Sequence, residues 1–279
     1  MTLTCAFVLL GGCAVSRKKV VVPATTQPAQ TATKADLIAL YNREASVIET
    51  LNAAVRMSPT AGSAVSGVIE QYHEVNGYIL AARPASIRVI GQAPVVAKDI
   101  FDMASDGQTF RIYIPSKNKF IVGPANLRRA VSKPIENLRP QHLVDALIWS
   151  VIPQSENVLL EEADALPFRY YVLTLARNGE HGWELDRKIW FDRATLQIAR
   201  IQIYGPGGEL DSDVRTNDWQ PVDGVNYPKD ILLARPADQY QLDIRITQLT
   251  LNQTIASDKF QLAQPPGTEL VQLGEEKQP

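Results

Sequence analysis

From Gln239 to Thr247 the chain alternates without a break: Gln239, Gln241, Asp243, Arg245 and Thr247 are polar, and Tyr240, Leu242, Ile244 and Ile246 are apolar. Successive side chains of a strand point to opposite faces, so this segment is a strand with one wet face and one that must meet something apolar. Parity switches at Gln248, after which Leu249 and Leu251 continue the apolar set, and this predicts a bulge. The same period of two marks Ser86 to Ile90, Phe101 to Met103, Phe110 to Ile114, Phe168 to Ala176, Arg187 to Asp192 and Gln197 to Tyr204. Asp106-Gly107 and Asn178-Gly179 lie between such runs, and both residue pairs tolerate the positive φ of a hairpin turn. Glu209, Asp211, Asp213 and Arg215 share a strand face opposite Leu210, Ser212 and Val214, and the charged face is expected to be solvated.

Helical patterning is scarce. Thr33 with Asp36 resembles a capping box, and Leu37, Leu40, Tyr41, Ile48, Leu51 and Val55 recur near helical spacing, which predicts a long helix to about Met57, stopped by Pro59 and Gly62. Pro140 opens a second, short helix through Leu143, Ala146, Leu147 and Trp149, ended by Pro153. About ten strands with two helices exclude a doubly wound α/β fold, in which the two element types alternate. The expected class is mainly β with few helices (α+β). The expected architecture is a strongly curved antiparallel sheet, an unclosed half-barrel with a long N-terminal helix and one short inserted helix on its concave side. That concave side holds either a packed core or an apolar cavity. The residues placed on it are Ile87, Val89, Phe101, Met103, Phe110, Ile112, Trp190, Tyr240, Leu242 and Ile244.

The N-terminus carries a different signal. Leu3 to Leu10 is nearly all apolar, too short to span a bilayer, which takes roughly 20 residues, and of the length of a signal-peptide hydrophobic region. Leu10-Gly11-Gly12-Cys13 resembles a bacterial lipobox. The resemblance implies cleavage before Cys13, fatty acylation of its thiol and amine, and anchoring in a membrane; Ala14 after the cysteine implies the periplasmic face of the outer membrane. The alternative is that Cys5 and Cys13 are ordinary buried thiols. No cysteine follows Cys13, so the body builds neither a disulfide framework nor a thiol catalyst. Ala14 to Lys34, with Arg17, Lys18, Lys19 and Lys34 and no acidic residue, reads as a flexible basic tether. The expected organisation is a signal peptide at 1–12, a lipidated cysteine and tether at 13–34, and a single β-domain at 35–279.

Chemistry is excluded on several counts. With 28 basic and 30 acidic residues there is no field for nucleic acid. Three histidines and two cysteines are too few for a His/Cys zinc site, so neither metal nor cofactor is expected. His73, His142 and His181 have no metalloprotease spacing, and no serine sits in a G-x-S-x-G elbow. The carboxylate pairs Glu161 with Glu162 and Asp211 with Asp213 read as solvated charge. No catalytic residue and no enzyme are expected.

Five segments then occur in a fixed order: Ala82-Arg83-Pro84-Ala85-Ser86-Ile87-Arg88-Val89; Ser105-Asp106-Gly107-Gln108-Thr109-Phe110 before a strand ending at Pro115; Lys188 to Asp192 with Arg200 in the next strand; Val225-Asn226-Tyr227-Pro228 before Ile231; and Phe260 through Pro265-Pro266-Gly267. Over roughly 65 to 270 this order resembles the LolA and LolB carriers and receptors and the lipoproteins that share their unclosed barrel. The resemblance implies a hydrophobic cavity under a helical lid that binds acyl chains. The expected function is therefore a membrane-anchored lipoprotein binding a lipid or acyl chain in envelope lipid or lipoprotein trafficking. The alternative is a structural or assembly lipoprotein that docks a protein partner of an envelope complex.

Overall fold

The computed structural model of the chain describes residues 28–63, 68–95, 98–125, 127, 138–165, 168–179 and 182–273. Among the described residues two α-helices, α1 (Lys34–Ser46) and α2 (Pro140–Leu147), accompany one sheet. Its strands are β1 (Thr50–Ser63), β2 (Val68–Gln71), β3 (Val75–Ala82), β4 (Ser86–Gln92), β5 (Asp99–Ser105), β6 (Thr109–Ile114), β7 (Lys119–Pro124), β8 (Asn157–Ala165), β9 (Phe168–Gly179), β10 (Gly182–Asp192), β11 (Ile198–Tyr204), β12 (Leu210–Val222), β13 (Val225–Arg235), β14 (Tyr240–Leu251) and β15 (Glu269–Gln272). The order across the sheet is β15-β7-β6-β5-β4-β3-β1-β14-β13-β12-β11-β10-β9-β8, with β2 paired to β1 beyond β3. Neighbours are antiparallel except β15, which lies parallel to β7. β15 and β8 end the order without pairing to each other, so the sheet is open.

One face of this sheet is apolar over most of its width. Met57, Ile79, Val89, Met103, Leu173, Ile189, Ile201, Val214, Leu233 and Ile244 belong to a single buried cluster, together with Leu37, Tyr41 and Ala45 of α1 and Leu143, Val144, Ala146 and Leu147 of α2. Strands from both halves of the order share one cluster with the same two helices because the sheet curls around them. Twist makes a long antiparallel sheet do this, and burying its apolar face drives it. The bulge predicted near Gln248 is present: Ala54 pairs Gln248 while Val55 pairs Ile246, so Thr247 is the extra residue. It returns Leu249 and Leu251 to the inner side. Asp106-Gly107 turns β5 into β6, with the Asp106 carboxylate accepting from the backbone N–H groups of Gln108 and Thr109 and Gly107 at φ 88°.

The long N-terminal helix is corrected. Thr33 and Asp36 do form a reciprocal capping box, and Leu37, Tyr41 and Ala45 bury one stripe, but the helix stops at Ser46 and a strand starts at Thr50. Leu51 and Val55 are four apart, as on a helix, yet Leu51, Ala53, Val55 and Met57 also alternate, and pairing with β3 and β14 on both sides selects the strand. Pro59 lies inside this strand instead of ending a helix. The short inserted helix is where it was expected. Asp213 is a second correction: it faces outward with Arg215, but Arg200 and Arg215 close over it and leave its side chain 8% exposed. The signal segment, Cys13 and most of the tether lie outside the described residues. The tether's last part is held, Gln30 donating from its backbone and side chain to the carbonyls of Arg193 and Ala194.

Candidate functional site

Strand register decides which predicted residues meet. Ile79, Val89, Met103 and Ile112 form one row across β3 to β6, and Ala81, Ile87, Ser105 and Phe110 form the next. Across β1 and β14, Met57, Pro59 and Ala61 oppose Ile244, Leu242 and Tyr240 on the same inner face. Ile87, Val89, Met103, Phe110, Tyr240, Leu242 and Ile244 are buried there, and Phe101 and Ile112 are half-buried against the cluster. Phe101 lies over Gly91, its cross-strand partner, whose missing side chain gives the ring its place. Trp190 is different. Its neighbours Ile189 and Phe191 both point into the core, so Trp190 stands on the outer face, packed edge-on against Tyr170 and donating its indole N–H to Gln202 at 3.0 Å.

Helices fill the concave side. α2 lies over β4, β5 and β13. The chain after it carries Trp149 into an aromatic group, with ring centroids 5.7 Å from Trp219 and 6.4 Å from both Tyr41 and Tyr227. The described side chains of α1, α2 and the inner face of the sheet pack into one buried cluster. A small cleft open to solvent runs beside α2 between Tyr41, Asp145, Trp149, Arg187, Ile201 and Ile203.

The cover formed by α2 and the residues after it is attached by side chains, not by strand pairing. Arg83, at the turn between β3 and β4, donates to the carbonyls of Ala45 (2.5 Å), Ile48 (2.8 Å) and Trp149 (2.9 Å), joining the end of α1 to the chain beyond α2. Asn42 of α1 donates to the Ile152 carbonyl and accepts from the Ile152 N–H. The Tyr41 hydroxyl donates to the Ser150 carbonyl, and the Tyr227 hydroxyl donates to the Leu147 carbonyl at 2.7 Å. These satisfy carbonyls that a helix end leaves without partners. Arg187 donates to the Ser150 carbonyl at 3.1 Å and pairs with Glu156 and Asp186. His142 of α2 meets the Tyr240 hydroxyl at 2.6 Å. Burial, then Arg235 and Arg139, hold this imidazole well below the usual histidine range. Burial pushes the Tyr41, Tyr227 and Tyr240 hydroxyls up, so all three stay protonated donors.

No protein-family model matches the chain, and no curated protein does. Solved structures do. A LolA superfamily protein from Nitrosomonas europaea is 11% identical at a TM-score of 0.49, over 83% of this chain and 99% of that one. A DUF1329 family protein from Desulfovibrio piger is 14% identical at 0.49, over 80% and 94%. An outer-membrane lipoprotein-sorting protein domain from Vibrio parahaemolyticus is 10% identical at 0.46, again over 80% and 94%. The chain is similar to LolA-like proteins.

Sequence reasoning missed the attachments. Arg83 stood in a quoted segment without a role, and His142 and Tyr240 are 98 residues apart, so nothing local pairs them. Among the described residues no three His, Cys, Asp or Glu side chains come together as a metal site would require.

Proposed function

We propose that this chain is a non-enzymatic lipoprotein of the bacterial envelope that takes an acyl chain or lipid onto its concave apolar face, α2 giving way to it. One observation carries the reading: the inner face is apolar over most of the sheet, and α2 covers it as a separate piece attached through side chains. Burying Leu143, Val144, Leu147, Ile148 and Trp149 is worth about 8–15 kcal/mol in all, at roughly 1.5–3 kcal/mol each. An acyl chain of about sixteen carbons gains on the order of 12 kcal/mol, at ~0.8 kcal/mol per CH₂. Exchange of one for the other is therefore close to balanced, as a carrier that must also release its cargo requires. The finer reading is an outer-membrane anchor through acylated Cys13, with the domain facing the periplasm.

The test is a Cys13→Ala chain, purified without detergent and weighed under native and denaturing conditions. A lipid-sized adduct lost on denaturation is expected, and a clean mass in repeated preparations overturns the reading. For the anchor, the wild-type chain is expected to carry acyl mass and to fractionate with membranes, and the Cys13→Ala chain to lose both.

A second reading, docking of an envelope protein, is favoured by the outer face. Phe168, Tyr170 and Trp190 pack in sequence there, Arg200 lies over the Trp190 ring at 5.6 Å, and Arg215 beside it is exposed. Tyrosine, tryptophan and arginine are the residue types that dominate binding energy at protein interfaces.

A further inference from the structure

His142 occupies the third position of α2, where the unpaired N–H groups of a helix N-terminus disfavour a cation. Every neighbouring element adds to this or is already engaged. Arg139, the residue before the helix, is buried and stacked over Phe110 at 5.2 Å. From β13 comes Arg235, whose guanidinium pairs with Asp238 of the following turn at 2.8 Å and with Asp211 of β12 at 3.8 Å. From β14 comes the Tyr240 hydroxyl, which a neutral imidazole accepts from at Nδ1. β4 and β5 present Ile87, Val89 and Met103. Asp145, on the next turn of α2, lines the cleft; burial pushes its carboxyl up, against the pull of Gln141, Arg235 and Arg187. An added proton on Nδ1 removes the acceptor that Tyr240 uses and places a third cation near Arg139, which is stacked on Phe110, and Arg235, which already pairs with Asp238 and Asp211.

We propose that His142 is an acid-sensitive latch: protonating its imidazole weakens the docking of α2 on β13 and β14 and raises the fraction of chains in which the inner face of β4 and β5 is uncovered. What that face then receives rests on the acyl-binding reading; the latch itself does not. The direction follows from linkage. A released imidazole takes its proton near pH 6.5 and the docked one resists it, so the docked state is favoured above that pH and loses ground as pH falls below it.

Hydrogen–deuterium exchange of the purified full chain between pH 8 and 5, corrected for the intrinsic pH dependence of exchange, tests this. Peptides spanning 140–149 are expected to lose protection at least tenfold between pH 7 and 5, while β13 and β14 hold theirs. His142→Phe, which keeps an aromatic ring on Tyr240 but no proton site, is expected to abolish the loss, and Asp145→Asn to leave it in place. Unchanged protection in wild type, or the same loss in His142→Phe, overturns the proposal. If that variant does not fold, the imidazole proton signals of wild type replace it. His142 must titrate at the midpoint of the opening, and a different midpoint refutes the latch. Flat protection alongside a bound lipid in the mass measurement at pH 7.5 sinks the latch alone; acid opening with no lipid adduct sinks the acyl reading alone.

Discussion

Replacing Arg83 by alanine removes three hydrogen bonds from a charged donor to the carbonyls of Ala45, Ile48 and Trp149. Such bonds contribute about 1.5–3 kcal/mol each. The gross loss is thus roughly 4–9 kcal/mol, and water reaching part of this half-buried site reduces it to about 3–5 kcal/mol. That is a large share of the roughly 5–15 kcal/mol that holds a domain together. It corresponds to a fall in Tm of about 8–15 °C for a domain of this size. Arg83→Lys keeps the charge but has a single nitrogen to place among three carbonyls, so it is expected to recover about half. Urea unfolding followed by tryptophan fluorescence gives the free energies. Exchange of the peptides 45–49 and 147–152 locates the damage, which is expected at the end of α1 and just beyond α2. A cost under about 1 kcal/mol for Arg83→Ala, or a lysine variant no better than alanine, would refute the idea that this side chain joins the two helices.

Glu44, on α1, is pushed up to about 7 by burial. The rise from 4.5 corresponds to about 3 kcal/mol undiscounted and about 1–2 kcal/mol once its contact with water is allowed for. The folded-state pKa is raised, so this stability is present in acid and is lost as pH rises from about 4.5 to about 7; Glu44→Gln is expected to be the more stable protein at pH 8 and no better near pH 4, read from urea midpoints. Gly77→Ala would put a Cβ 2.7 Å from the Ile90 carbonyl oxygen and 2.5 Å from the Met57 methyl, costing about 1–3 kcal/mol; an unchanged melting temperature would contradict this register. Trp190→Ala leaves the buried Gln202 amide oxygen without its donor and is expected to cost about 2–3 kcal/mol, while any lipid adduct persists. Loss of the adduct in that variant would mean the outer face takes part in binding.

Strands were legible where one face is apolar and the other polar, as in β14, whose bulge could be placed to within a residue from the parity switch at Gln248. Trp190 was not legible for the opposite reason. Ile189, Trp190 and Phe191 are all apolar, so the pattern offers no parity, and the register with Ile201 and Leu173 decides which side each takes. Asp213 reads as solvent-facing because its burial comes from arginines on its own and the neighbouring strand. Leu51 and Val55 satisfy two periods at once, and a tertiary fact, partners on both edges, chooses between them. The parallel pairing of β15 with β7 joins segments about 150 residues apart and leaves no trace in either. Whether the concave side is filled depends on where α1 and α2 rest, and that is set by single side chains such as Arg83, Tyr227 and His142.

The pairing of β1 with β14 sets the order of events in folding. Leu51 meets its partner at Leu251, so the middle of the sheet joins the first strand of the body to nearly the last. While the chain is being synthesised, β3 to β7 on one side and β8 to β13 on the other can each zip up as local hairpins. The two halves, however, cannot be sewn together until almost the whole polypeptide is available. Closing so long a loop is slow, because its entropy must be given up before the contacts that reward it exist. Until then β1 presents one bare edge and half of an apolar trough. A chain built this way keeps that edge and that trough uncovered until β14 has been made and has met β1.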